Sequence, residues 1–310
     1  MLKLDLDRAA YLVFLVAAAA APFFVYPVLA MKILCFALFA CAFNLLLGFT
    51  GLLSFGHAAF LGSAAYATGY AMTRWAVTPE IGIAFGTLIA TALGAVFGGL
   101  AIRRQGIYFA MITLALAQMV YFFCLQAPIT GGEDGLQGVP RGALFGLIDL
   151  GNDTAMYYFV LAVFLGGFWI VHRTVHSPFG QVLKAIRENE PRALSLGYTV
   201  DRYKLLAFVL SAALSGLAGA TETLVMGFAT LTDVHWSTSG EVVLMTLVGG
   251  VGTMLGPVVG AIVITALQSE LADKVGPWVT VIMGAIFIAN VLAFRRGIIG
   301  ELAARLGSRP

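Results

Sequence analysis

Residues 242–269 read VVLMTLVGGVGTMLGPVVGAIVITALQS, 28 residues without Asp, Glu, Lys or Arg, interrupted at the centre by Gly249-Gly250-Val251-Gly252-Thr253 and Gly256-Pro257. A helix needs about 20 consecutive apolar residues to cross about 30 Å of hydrocarbon. The stretch is too short for two crossings, and its glycine-rich middle spoils one continuous helix. How it is counted decides the topology. Basic residues gather on the cytoplasmic side of membrane proteins. Here 173–204 carries Arg173, Lys184, Arg187, Arg192, Arg202 and Lys204, and the tail carries Arg295, Arg296, Arg305 and Arg309. A single crossing at 242–269 would put three spans between these segments and send the tail outside. A re-entrant or broken hairpin leaves two spans and keeps both segments inside.

Working outward, the other uncharged stretches run 9–31, 33–73, 81–102, 105–132, 154–172, 205–221 and 275–294. The 41 residues of 33–73 hold two spans, broken near Gly48–Gly56. The expectation is an all-α fold: a polytopic transmembrane helix bundle of about eight full spans plus the broken segment 242–269. One membrane-spanning domain covers 1–310, with spans in 9–172, a cytoplasmic segment at 173–204, further spans in 205–294 and a cytoplasmic tail at 295–310. Lys3, Arg8, Arg103 and Arg104 bring the basic residues inside to 14, against four outside, Lys32, Arg74, Arg141 and Lys274. Both termini are expected in the cytoplasm. Composition agrees, with 60% apolar and 11% charged residues and a mean hydropathy of +0.93; soluble proteins carry about 45–50% and about 25%. A net charge of +2 offers nothing to nucleic acid.

The N-terminus has Lys3 and Arg8 ahead of an alanine run, as a signal peptide would. Asp5 and Asp7 dilute that charge, and apolar sequence continues past Pro22 to Met31, so 9–31 reads as the first span. Cys35, Cys41 and Cys124 lie in apolar runs at no metal-like spacing, which indicates neither disulfides nor zinc.

Irregular backbone at membrane depth is tolerated where protein buries it or water reaches it. The two breaks therefore point to a translocation path, with Thr50, Gly51, Ser54 and His57 as candidates in the first and Gly249, Gly252 and Thr253 in the second. Gly48-x-x-Gly51 with Gly56 and Gly62 loosely matches Gly249-x-x-Gly252 with Gly256 and Gly260, which suggests an internal repeat of the kind transporters use. His57 either lines the path or is a neutral histidine bonded to nearby backbone. Thr50 and Ser54 either meet a passing polar group or satisfy backbone freed by the break. Glu222, at the outer end of its span, either meets a substrate ammonium or marks the interface. Glu133 and Asp134, in a Gly-rich outer loop, are either a docking point for a binding protein or solvated charges. Gly86, Ala90, Gly94 and Gly98 form a small-residue ridge, as do Ser211, Ser215 and Gly219 beside Ala212, Gly216 and Ala220; both read as close helix packing.

Residues 173–204 have clear helix grammar. Ser177-Pro178 is an N-cap followed by proline at the first helical position. Phe179, Val182, Leu183 and Ile186 then form one apolar face, opposite Lys184 and Arg187. Pro191 stops that helix and opens a short second one, about 191–196, which Gly197 ends in a left-handed conformation; Asp201 caps the next span. The product is a short helix held at the cytosolic surface, suited to pushing or being pushed by a soluble partner, although an ordinary basic loop would also be polar there.

No catalytic constellation is present. Gly249–Thr253 lacks the Gly-Lys-Ser/Thr ending of a nucleotide-binding loop, and neither His-Glu-x-x-His nor Gly-x-Ser-x-Gly occurs. A stand-alone secondary transporter or channel would carry ionisable groups within its spans for coupling. The span interiors hold almost none, which favours an energy source outside the membrane domain.

Longer motifs carry a resemblance. LGFTGLLSFGHAAFLG (47–62), GIYFAMITLALAQ (106–118), TGGEDG (130–135), SPFGQVLKAIRENE (177–190) through Gly197-Tyr198 and RYKLLAF (202–208), and GEVVLMTLVGGVGTMLGP (240–257) resemble the LivM-type permease subunit of branched-chain amino acid ABC importers, in order over about residues 30–295. The resemblance implies a path for branched-chain or hydrophobic amino acids, although relatives of the same architecture carry urea or short amides. It implies a second permease subunit, two cytoplasmic ATPases that bind the ATP and Mg, a periplasmic substrate-binding protein and a place in the bacterial inner membrane. This chain would hold no cofactor or metal and would not itself be an enzyme. The Glu-Ala-Ala…Gly loop by which such permeases dock into the ATPase has a degenerate copy in Glu190-Pro-Arg-Ala193…Gly197. Its implied coupling residues are Lys184, Arg187, Glu188, Glu190, Arg192, Ala193 and Gly197.

Overall fold

The computed structural model describes residue 11, residues 13–293 and residues 297–305. Lys3, Asp5, Asp7, Arg8, Arg295, Arg296 and Arg309 lie outside the described residues. The chain is a helical bundle. The helices are α1 (Val13–Phe23), α2 (Pro27–Thr50), α3 (His57–Arg74), α4 (Pro79–Ala101), α5 (Ile107–Gln126), α6 (Asp153–Val175), α7 (Pro178–Glu188), α8 (Glu190–Ser195), α9 (Val200–Met226), α10 (Leu231–Val234), α11 (Trp236–Gly249), α12 (Gly256–Val275), α13 (Val279–Ala293) and α14 (Gly297–Arg305). Among the described residues, α2, α4, α5, α6 and α9 are long and apolar enough to cross a membrane by themselves, and α1 and Gly256–Leu271 of α12 are shorter apolar helices. With α3 and α13 these long helices give seven, among the described residues, in expected span positions, and α11 and α12 occupy the broken segment.

One expected boundary is corrected. The stretch 9–31 is not a single span, because α1 ends at Phe23 and α2 begins at Pro27. Pro22 and Pro27 each lack the N–H a helix interior needs. Tyr26, preceding Pro27, takes φ −55°, ψ 122° and breaks the path. Met31 and Lys32 thus belong to α2, so Lys32 is carried within a helix and not in a loop between spans.

The core is built on α2, which is buried along most of its length. It packs with α9, α6 and α12, while α3 and α4 pack on each other and on α9, where Ala90 and Gly94 of α4 meet Ala212 and Gly216 of α9. A Cβ added at Gly94 would lie 2.3 Å from Ala212 Cβ, and one at Gly216 would lie 2.3 Å from Ala90 Cβ. Such closeness lets backbones approach where lipid supplies no hydrophobic drive. In contrast α4 and α5 expose large apolar side chains, among them Leu88, Val96, Met111, Met119 and Phe122, a surface suited to lipid or another subunit. Short strands tie the loops at the end away from α7: β1 (Leu136–Gln137) pairs with β4 (Phe228–Ala229), and β2 (Ala143–Leu144) with β3 (Ile148–Asp149).

Between α11 and α12 the chain doubles back. A Cβ at Gly260 would stand 1.8 Å from Met245 O, so the two arms touch backbone to backbone. The start of α14 packs on the hairpin tip, where a Cβ at Gly297 would lie 2.5 Å from Gly250 Cα. The tip also meets α2 and α7, so residue 297 lies at the same end of the bundle as 173–204, the relation the hairpin reading requires.

Candidate functional site

The two glycine breaks meet each other, and a residue of α7 reaches their junction. Helix α2 ends with Gly51 at φ +78°, with Leu52 N–H bonding Leu46 O and Gly51 N–H bonding Leu47 O, both at 3.2 Å. This left-handed glycine cap satisfies two of the carbonyls a helix end exposes. The Gly48 carbonyl is taken by Arg187 Nη1, which donates to it from α7. A guanidinium is also the charge that a helix C-terminus favours. The tip of the α11–α12 hairpin closes on the same place. Asn44 Nδ2 donates to Thr253 O at 2.9 Å, and Gly252 N–H donates to Asn44 Oδ1 at 2.9 Å. Gly252 has φ +78°, and a Cβ there would sit 3.0 Å from Arg187 Nη1; a side chain would be strained there and crowd the arginine.

The hydroxyls of the breaks are engaged with backbone. Thr50 Oγ1 donates to Leu45 O at 3.2 Å, and Ser54 Oγ accepts from Gly56 N–H at 3.2 Å. Thr253 Oγ1 donates to Gly250 O at 2.8 Å and accepts from Gly256 N–H at 3.1 Å. His57, at the start of α3, is fully buried, with its ring edge-on to Phe43, Phe60 and Phe208. Its Nε2 lies 2.8 Å from Ser211 Oγ, which donates its own proton to Ala42 O at 2.5 Å. Ser211 can then only accept, so His57 carries its proton on Nε2. Its Nδ1 is buried with no hydrogen-bond partner among the described residues.

In 173–204, Ser177 Oγ caps α7 by accepting from Gly180 N–H at 3.3 Å, and Asn189 Oδ1 caps α8 by accepting from Arg192 N–H at 3.1 Å. Gly197 has φ +87°. Asp201 is not the cap of α9: Thr199 holds that position, and Asp201 lies in the first turn, where a carboxylate favours the helix dipole. Lys184 does not stand away from the protein either, because its Nζ lies 5.7 Å over the Phe49 ring of α2. Glu190 pairs with Lys204 at 2.7 Å and accepts from Gln105 Nε2 at 2.9 Å. Ala193 is buried against Ile186 and Val200, which fixes α8 to α7 and α9. Glu188, Arg192 and Gly197 are exposed. Beside them Leu194 and Leu196 are also exposed, at 55% and 68%, an apolar face the sequence reading did not single out. Glu133 and Asp134 are exposed in a short turn at the opposite end.

At that opposite end Lys32, Glu222, Asp233, Glu241 and Gln268 line one cavity of about 220 Å³. Of these, the sequence reading picked out Glu222 alone. No group of His, Cys, Asp and Glu that could hold a metal ion occurs among the described residues.

The model of the family described as branched-chain amino acid transport system / permease component matches residues 26–291. This chain belongs to that family. The permease is 28% identical to the high-affinity branched-chain amino acid transport system permease protein LivM of Escherichia coli K12 over 258 residues, 74% of this chain and 60% of that protein. It is 27% identical to the Salmonella typhimurium protein of the same name, with the same coverage. The autoinducer 2 import system permease protein LsrC of Klebsiella pneumoniae is 31% identical over 189 residues, 58% of this chain and 52% of that one. The chain thus spans about 60% of the length of the LivM relatives. No solved structure matches it.

Proposed function

We propose that this chain is a permease subunit of an ATP-driven importer in the bacterial inner membrane, forming a path for branched-chain and other hydrophobic amino acids. A second permease subunit, two cytoplasmic ATPases and a periplasmic binding protein complete the machine, and the ATPases hold ATP and Mg. Both termini face the cytoplasm, and the chain performs no chemistry of its own. The observation that carries this reading is the α7–α8 segment. It is a capped, two-helix unit, anchored by Ala193 and by the Glu190–Lys204 pair, and it presents Leu194 and Leu196 outward while the exposed Arg187 bridges to Gly48 O beside Gly252. A soluble partner that moves α8 would move the junction inside the bundle. The branched-chain assignment draws on the names of the LivM relatives, and the autoinducer-2 relatives, matched over a shorter stretch, supply the competing substrate.

The test is reconstitution of the chain with its partner subunits in vesicles. Leucine uptake is expected to require both ATP and the binding protein. Replacing Leu194 and Leu196 together by Asp is expected to abolish co-purification of the ATPases while leaving the chain folded in detergent. Leucine movement by the chain alone, without ATPase subunits, would sink the proposal.

A further inference from the structure

The cavity at the end away from α7 lies between α2, α3, α9 and the α10–α12 segment. Carboxyl groups reach it from three elements, Glu222 of α9, Asp233 of α10 and Glu241 of α11, and Lys32 of α2 supplies an ammonium. Two of the three carboxyls are engaged. Asp233 Oδ2 accepts from Thr230 N–H at 2.8 Å and from Thr230 Oγ1 at 3.1 Å, and Glu241 Oε1 accepts from Gln268 Nε2 at 3.2 Å. Glu222 differs. It is only 8% exposed, it faces the cavity, and among the described residues it has neither a hydrogen bond nor a cation within 4 Å. Lys32 forms no ion pair among the described residues either, its Nζ standing 5.7 Å over the Phe36 ring.

A buried polar group without a partner costs about 1–3 kcal/mol, and a charged one more. Native proteins keep such a group where something other than the protein supplies the partner. Here two groups of opposite charge share one cavity and do not close on each other, so the space between them is open to a partner that carries both charges. Phe36, Met226 and Phe228 supply apolar wall beside them. An inorganic cation fits this set poorly, since hard cations collect a shell of oxygens and have no use for a lysine or phenyl rings.

We infer that this cavity is a substrate site for a small apolar amino acid, with the ammonium against Glu222, the carboxylate against Lys32 and the side chain against Phe36, Met226 and Phe228. The inference rests on the importer reading above and places substrate at the outer end of the bundle, on the side from which a binding protein would release it. Pockets for drug-sized ligands run to roughly 300–1,000 Å³; a cavity of about 220 Å³ is on the scale of one amino acid.

The experiment measures leucine uptake in vesicles holding the complete importer. Glu222→Gln is nearly isosteric and breaks no protein contact, so the complex is expected to assemble normally. Uptake is expected to fall about tenfold or more, the loss of one charged hydrogen bond. Glu222→Asp keeps the charge and is expected to retain uptake within about threefold, and Lys32→Met should be impaired like Glu222→Gln. Uptake unchanged in Glu222→Gln, equal loss in Glu222→Asp and Glu222→Gln, or failure of Glu222→Gln to assemble would each overturn the site. So would sodium-dependent uptake in the wild type that becomes sodium-independent in Glu222→Gln, which would make an inorganic cation the occupant. If the wild-type importer moves no hydrophobic amino acid at all, the reading of function fails instead.

Discussion

Asn44 interrupts the run ILCFALFACAFNLLLGF (33–49), otherwise free of strongly polar side chains, and a strongly polar side chain on such a helix needs a partner within the protein. Its amide spends both its donor and its acceptor on the backbone of the hairpin tip, 209 residues away, at Thr253 O and Gly252 N–H. Gly252 N–H and Thr253 O are the peptide groups of the turn that the amide satisfies, as a cap completes a helix end. Asn44→Leu keeps the volume and strands one donor and one acceptor. Each unsatisfied group costs about 1–3 kcal/mol, so a loss of about 2–6 kcal/mol is expected, read as a lower denaturation midpoint of the purified chain in detergent. Asn44→Asp keeps the acceptor for Gly252 but sets a buried carboxylate against the Thr253 carbonyl, and should cost at least as much. An unchanged midpoint in Asn44→Leu would show that the tip is held by other contacts. Gly48 belongs to the same joint, because a Cβ there would meet Gly252 N at 2.7 Å.

At the scale of elements, α7 packs on α2, α6 and α9 and is tied to one helix end. At the end of α2 the Gly48 carbonyl is satisfied by Arg187 and the Phe49 ring is covered by Lys184. A displacement of α7 must therefore drag the C-terminus of α2 or uncap it. Arg187→Met retains much of the stem and removes the donor; in the assembled importer the leucine carried per ATP hydrolysed is expected to fall severalfold, with the ATPases still bound. Arg187→Lys, which keeps charge without the fork, should fall between. Equal coupling ratios in all three would mean that α7 transmits nothing through this contact. The caps of α7, the short α8 and the left-handed Gly197 are legible in the sequence because Ser177-Pro178, Pro191 and Gly197 are local signals. The inward aim of Lys184 and Arg187 is not legible, because helical periodicity sorts an apolar face from a polar one and cannot show that a second helix end lies over the polar side. The break at Pro22–Pro27 is missed for a related reason: hydropathy runs through proline, and backbone hydrogen bonding does not.

For the whole molecule, charge and glycine placement carry the topology, since 28 uncharged residues with a broken middle must either cross once badly or turn back. The structure turns them back, and α14 meets the hairpin tip at the same end as α7. The cavity was hidden from sequence because its members stand between Lys32 and Gln268, each near a helix end where a solitary charge needs no explanation. Only the fold brings them together. Sidedness remains a physical consequence to measure. With Cys35, Cys41 and Cys124 buried, a thiol introduced at an exposed position should dominate labelling by a membrane-impermeant maleimide in right-side-out vesicles. Glu133→Cys, in the loop before α6, and Ser269→Cys, near the end of α12, are both exposed positions. The hairpin requires both to label from outside, whereas Leu196→Cys should label only after the vesicles are opened. A single crossing of 242–269 would reverse Ser269 relative to Glu133. Labelling of Glu133→Cys and Leu196→Cys on opposite sides, with Ser269→Cys on the side of Leu196, would therefore refute the hairpin. The proposed substrate site would fall with it, because Glu241 and Gln268 meet in that cavity only if α11 and α12 return to the face from which they started.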